Sequence, residues 1–191
     1  MYSLLSDAEI NEINKNNNFI SPFINSQIKE EDGKKVISYG LSSFGYDIRC
    51  SNYFMLFSKK PGEVIDPKNF SENLVDEYVV MSGDPFILPP HTFALTHSQE
   101  TLTMPSDVLA ICLGKSTYAR TGLIVNVTPI EPGWTGQITI EISNTTDLPI
   151  YVYPNEGIAQ LIFFKGALPT VTYSDRKGKY QNQVNITLPK I

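Results

Sequence analysis

The sequence is short of the side chains that most often hold catalytic metals: its 191 residues include two histidines and two cysteines. His91 and His97 do not form a His-Glu-x-x-His motif, and Cys50 and Cys112 are too far apart to be a Cys-x-x-Cys pair. A catalytic zinc site of the usual His- or Cys-rich kind is therefore excluded. A magnesium ion carried in by a polyphosphate needs few protein ligands and is not excluded. The two thiols sit in apolar, strand-like contexts and are expected to be buried, unpaired and in a reducing, cytoplasmic compartment. No apolar run approaches the ~20 residues of a spanning helix. Met1-Tyr2-Ser3-Leu4-Leu5 lacks the basic start and apolar core of a signal peptide, so neither a membrane nor a secretory route is expected. Positive charge is short as well: 15 basic against 20 acidic residues give a formal charge of -5, which argues against broad nucleic-acid binding.

Several nucleotide and hydrolase motifs are also missing. Gly114-Lys115-Ser116 resembles the end of a P-loop, but Leu109 and Ala110 stand where its first glycine is needed, and no strand-to-helix order surrounds it. There is no Rossmann glycine fingerprint and no Gly-x-Ser-x-Gly elbow. The His-x-Glu and Pro-Cys-x-x-Cys signature of zinc nucleobase deaminases is absent too.

What is present is a foldable chain of one domain's length, with 41% apolar and 18% charged residues. Ser6 followed by Glu9 is a capping box, and Ile10 and Ile13 form a thin apolar stripe; together they predict a helix over 7–14 that Asn16–Asn18 end. Phe19–Phe23, around Pro22, reads as an apolar turn docking that helix. From Lys35 the period becomes two. Short β-prone runs at 36–39, 46–49, 53–57, 86–88 and 93–97 are followed by others at 108–113, 123–127, 137–143, 150–153 and 158–164. Turn residues separate them, as at Pro61-Gly62, Asp84-Pro85 and Asn155-Glu156-Gly157. This predicts an all-β barrel or sandwich of jelly-roll type with a short N-terminal helix. Residues 66–77 read as an irregular excursion or a short helical turn. The basic, polar run Tyr173–Gln183 is followed by the alternating Val184, Ile186 and Leu188, so the tail is expected to order against this body or a neighbouring subunit.

Three segments carry candidate chemistry. Gly114–Arg120 offers a glycine, a lysine, two adjacent hydroxyls and an arginine directly after an apolar strand; it fits an anion-binding loop or an ordinary polar loop. In Gln137–Ser143, Ile138, Ile140 and Ile142 share one face, and Gln137, Thr139, Glu141 and Ser143 the other. Glu141 is then either a solvated carboxylate or one desolvated enough to act as a general base. Gly40–Arg49 places Asp47 and Arg49 on one side of a strand, where a structural ion pair or network is the expected use.

Taken in order, five stretches resemble the zinc-independent dCTP deaminase family within the trimeric dUTPase-like superfamily. They are Gly40–Arg49, Gly114–Arg120, Asn126–Glu141 with the following Ile142-Ser143-Asn144, Asn155–Leu161, and Tyr173–Gln183. The resemblance implies a distorted jelly-roll β-barrel, a single domain over 1–191, and a homotrimer with active sites at subunit interfaces. The tail, residues 173–191, would close those sites. The implied reaction is dCTP plus water giving dUTP plus ammonia, with Mg2+ bound through the substrate triphosphate. By this match Glu141 would shuttle protons, while Ser116 and Arg120 position the attacking water. Lys115, Ser116, Thr117, Tyr118, Ala119, Arg120, Glu131, Thr139, Ile140, Glu141, Gln160, Tyr173, Lys179 and Gln183 would bind substrate. A bifunctional enzyme releasing dUMP and a non-catalytic nucleotide-binding regulator are the rival expectations. Glu141 and the lack of a glycine-rich tail motif argue against a pure dUTPase.

Overall fold

The computed structural model describes residues 3–191. Helix α1 spans Asp7–Asn17, three residues longer than the apolar stripe predicts. The capping box forms as read: the Ser6 N–H donates to Glu9 Oε2 (2.9 Å). Asn18 ends the helix in the left-handed region (φ 49), which asparagine tolerates. Asn14 is buried and accepts from the Ile20 N–H (2.8 Å), so the helix end and the turn after it are tied together.

The described residues form fourteen strands. They are β1 (Ser3–Leu4), β2 (Ile20–Ser21), β3 (Gln27–Glu31), β4 (Lys34–Ser42), β5 (Gly45–Arg49), β6 (Tyr53–Phe57) and β7 (Val75–Val79). Then come β8 (Phe86–Leu88), β9 (Phe93–Thr103), β10 (Val108–Gly114), β11 (Leu123–Asn126), β12 (Thr135–Asn144), β13 (Ile150–Val152) and β14 (Gly157–Lys165). A four-residue helix, α2 (Ser116–Ala119), links β10 to β11. The irregular segment expected at 66–77 contains a short 3-10 turn, Glu72–Leu74, and the start of β7.

The first sheet runs β1-β14-β5-β4-β3, with β10 on the other side of β14; the second runs β11-β12-β9-β6-β7, with β2 beside β9; β8 and β13 form a third, small sheet. One apolar core, including Ile48, Phe54, Leu102, Ile140, Leu161 and Phe163, joins the two large sheets. The expected barrel is therefore corrected: the fold is all-β with a short helix, but its sheets do not close. No continuous ladder joins the large sheets among the described residues; the isolated bridges there are Cys50, just after β5, with Ser98 of β9, and Ala110 of β10 with Ile130 in the connection before β12. At the would-be seam, α2 and the Gly122 turn separate β10 from β11, so each strand pairs within its own sheet. The register of β9 against β12 also breaks between Gln137 and Thr139. At that irregularity Ser98 Oγ accepts the Ile138 N–H (2.8 Å), and Glu100 is carried inward to Arg49.

Asp47 and Arg49 join a buried network, but not with each other. Arg49 Nε donates to Glu100 (2.8 Å) and Asp47 accepts from Lys115 and Gln27. The alternating Val184, Ile186 and Leu188 form no strand. The tail instead bridges to the body at Gly136–Gln183 and then runs irregularly.

Candidate active site

Strand β12 is buried on one face by Ile138, Ile140 and Ile142, and this turns Glu141 outward from the core. In the ladder Glu141 lies between Asn126 of β11 and Leu95 of β9. The leucine replaces water on one side, and Glu141 Oε2 is buried without a hydrogen-bond partner. Burial raises its pKa from the ordinary 4.5 to about 7, opposed weakly by a backbone hydrogen bond. A carboxyl group poised there can accept a proton and return it at neutral pH.

Glu141 opens into a cavity of about 590 Å³. Phe57, Phe93 and Leu95 give it an apolar side, the 127–134 connection a second, and the tail a third. Tail and connection are stitched together. Trp134 Nε1 donates to the Tyr180 carbonyl (2.9 Å), the Tyr173 N–H to the Pro132 carbonyl (2.9 Å), and Gln183 Nε2 to the Gln137 carbonyl (2.6 Å). Gly136 makes this approach feasible: at φ 151, an added Cβ would stand 2.8 Å from the Gln183 oxygen. Further along, the Thr187 N–H donates to Thr139 Oγ1 (3.1 Å).

Of the residues expected at the site, the cavity brings together Glu131, Thr139, Glu141, Tyr173, Lys179 and Gln183. Glu131 sits 3.8 Å from Arg176 across the mouth, and Lys179 Nζ donates to the Lys190 carbonyl and stands over the Tyr180 ring. The Ile140 side chain is fully buried in the core, so only its main chain faces β9 and β11. The other expected residues lie outside this cavity. Gln160 Nε2 donates to Ser42 Oγ (3.0 Å) on the first sheet. Tyr118 is buried and accepts the Tyr153 N–H (3.0 Å), while Lys115 is paired with Asp47. Ser116, Thr117, Ala119 and Arg120 are exposed on α2. That turn enters β11 at Leu123, opposite Asn144, and Glu141 lies three residues further along the ladder, roughly 10 Å away. Sequence reasoning missed Phe57, Phe93, Leu95, Tyr180, Thr187 and Pro189 as lining residues. Alternation could have placed Leu95 on an outward face, but only the β9–β12 pairing sets it beside Glu141.

Among the described residues no group of three or more His, Cys, Asp or Glu side chains is arranged to hold a metal ion. No helix among them is long and apolar enough to cross a membrane.

Residues 4–166 match the family model described as dCTP deaminase-like. The chain belongs to that family. A dCTP deaminase of Campylobacter fetus subsp. fetus is 56% identical over 189 residues, covering 98% of both chains. One of Acidovorax sp. is 51% identical over 189 residues, with 98% of this chain and 99% of that one covered. Among solved structures, the 2'-deoxycytidine 5'-triphosphate deaminase of Agrobacterium tumefaciens superposes with a TM-score of 0.62 at 18% identity. That match covers 86% of this chain and 48% of the other, a likeness of fold.

Proposed function

We propose that Glu141 is the acid–base group of this dCTP deaminase, working in the cavity between β12 and the tail. The activity is deamination of dCTP in pyrimidine nucleotide metabolism, in keeping with the family and its close relatives. The observation that carries the role of Glu141 is its partnerless, buried Oε2 at the cavity wall. Water adds to C4 of the cytosine ring while the Glu141 carboxylate takes its proton. Glu141 passes that proton to N3; it then takes the proton of the new C4 hydroxyl and gives it to the exocyclic amine, so that C4=O forms as the C4–N bond breaks and dUTP and ammonia leave. A group with a pKa near 7 serves both directions of this transfer. Thr139 and the β12 main chain border the ring, and Tyr173, Lys179 and Gln183 cover it from the tail.

Negative charge developing on the ring is stabilised by hydrogen-bond donors and cations placed beside it. Ser116, Thr117 and Arg120, exposed on α2, have that chemistry, and we assign them to the site of a neighbouring copy in a homotrimer. A contact face is available: Leu4, Ile111, Leu113 and Phe164 are exposed on the first sheet, with Leu4 and Phe164 in register. Magnesium fits best as part of the substrate. Besides Glu141, the only carboxylate among the described residues on the cavity wall is Glu131, which faces Arg176, so the ion would arrive on the triphosphate. Two free, buried thiols fit a cytoplasmic setting.

The test is product analysis with dCTP and magnesium, using the wild type and Glu141→Gln. dUTP with ammonia from the wild type, and a loss of about 1,000-fold or more in Glu141→Gln with dCTP binding retained, is expected. A fully active Glu141→Gln would overturn the role; dUMP with pyrophosphate would mean that triphosphate hydrolysis accompanies deamination.

A further inference from the structure

A single helical turn has no stability of its own, so the pose of α2 must come from what holds its inward side chains. Two residues do this, Lys115 at its N-cap and Tyr118 three positions on. Tyr118 is sunk into the core, with its hydroxyl on the Tyr153 N–H. Lys115 is held at three points. Its N–H reaches the Ile158 carbonyl (3.4 Å), and its stem runs over Gly157, where an added Cβ would come within 3.1 Å of Lys115 Cδ and 2.0 Å of the Ser38 oxygen. Its ammonium ends 2.5 Å from Asp47 Oδ2. Asp47 is 2% exposed and also accepts from Gln27 Nε2 (3.0 Å), so the carboxylate is fixed from β3 as well as from β5. Ser116, Thr117, Ala119 and Arg120 are left on the outward side.

The geometry points to Asp47 as a positioning residue of the deamination site: through its ion pair with Lys115 it sets the pose of the turn that presents Ser116 and Arg120. This rests on the assignment of Ser116 and Arg120 to the reaction. The pair holds the Lys115 ammonium against a buried carboxylate 68 residues away in sequence. Removing Asp47 releases the lysine to solvent and frees the first residue of α2. A shift of about 1 Å at a reacting group costs on the order of 100-fold in rate.

The experiment compares Asp47→Asn, Lys115→Met, the double variant and Lys115→Arg as full-length proteins, with steady-state deamination of dCTP and a melting curve for each. Ser116→Ala is included as a reference. A buried ion pair replaced on both sides by neutral groups often costs little stability, so the double variant is expected to fold. Its kcat should nevertheless fall about 10- to 100-fold with KM for dCTP changed less than about threefold. Because the two residues act as one unit, it should be no worse than the poorer single variant. Lys115→Arg, which keeps a cation opposite Asp47, should recover most of the kcat lost in Lys115→Met. That contrast decides the matter even if the double variant fails to fold. A folded double variant with wild-type kcat overturns the proposal. So does a Lys115→Met enzyme whose KM rises tenfold or more at unchanged kcat, the pattern of a lost phosphate contact. Wild-type activity in Ser116→Ala would instead remove the assignment of α2 on which the proposal rests, and it is told apart because the Asp47 and Lys115 variants do not enter that comparison.

Discussion

Leu95, directly across the ladder from Glu141, makes ionising that carboxylate costly, and this links catalysis to stability at one residue. The protonated form is favoured in the folded chain, where the pKa is about 7, relative to an unfolded chain near 4.5. The contribution to stability is thus fully present below about pH 4.5 and is lost as pH rises through 7. Replacing the carboxylate by an amide removes this loss. Glu141→Gln should therefore gain stability over the wild type by about 1–2 kcal/mol between pH 5 and pH 8, a figure discounted for partial exposure. Denaturant unfolding at the two pH values checks it; a constant difference would show that Glu141 is not desolvated. Rate should show the opposite side of the same titration. As a base Glu141 must be ionised, so kcat/KM rises with pH and levels off above an apparent pKa near 7. His97 lies opposite Thr139, and its burial moves its pKa downward from 6.5, away from this limb. Cys112, near Glu141, is held neutral by a pKa pushed up to about 12. A limb centred well below 6 in ammonia-release rates would assign the titration elsewhere.

At the level of elements, the tail acts as a wall of the cavity because Gly136 lets it lie close to the start of β12. Gly136→Ala would drive a methyl group into the Gln183 backbone at a φ that alanine rarely adopts. The core is untouched, so the far-ultraviolet spectrum should be unchanged. The kcat/KM for dCTP should fall about tenfold, and trypsin should cut sooner at Arg176, Lys177 or Lys179. Wild-type kcat/KM together with wild-type proteolysis would show that the tail does not matter to the cavity. The tail also shows what the sequence could and could not reveal. Alternation made β12 legible, including the outward placement of Glu141, because Ile138, Ile140 and Ile142 answer to one buried face. The same alternation in Val184, Ile186 and Leu188 pointed to a tail ordered against the body but not to its form: single hydrogen bonds from the Asn185 and Thr187 N–H groups hold it, without a partner strand. β3 and β7 were not legible for the converse reason: Gln27–Glu31 and Val75–Val79 are charged, exposed edge strands whose order comes from pairing with β4 and β6. The family resemblance places Tyr118 among the substrate-binding residues, and polarity alone could not show that its ring is buried in the core.

For the whole molecule, periodicity revealed strands but not closure, because whether β10 meets β11 depends on the turn between them and on partners far away in sequence. The separation of α2 from Glu141 has the same origin, and it is the reason we propose that a neighbouring copy supplies α2 to each site. If each site takes Glu141 from one copy and Ser116 from the next, two inactive variants can complement each other. Ser116→Ala retains a working Glu141, and Glu141→Gln retains a working α2. After the two are mixed in equal amounts and allowed to exchange subunits, each interface draws its two sides independently. About one quarter of the sites in a cyclic assembly would then pair an intact Glu141 with an intact Ser116. Deamination should accordingly rise from near zero to about one quarter of the wild-type rate, on the time scale of subunit exchange. Each variant alone and a mixture at concentrations too low for association should stay inactive. If the mixture remains inactive although mass measurements show mixed oligomers, Ser116 and Glu141 must serve the same site from a single chain, and α2 would have to move toward β12 when substrate binds.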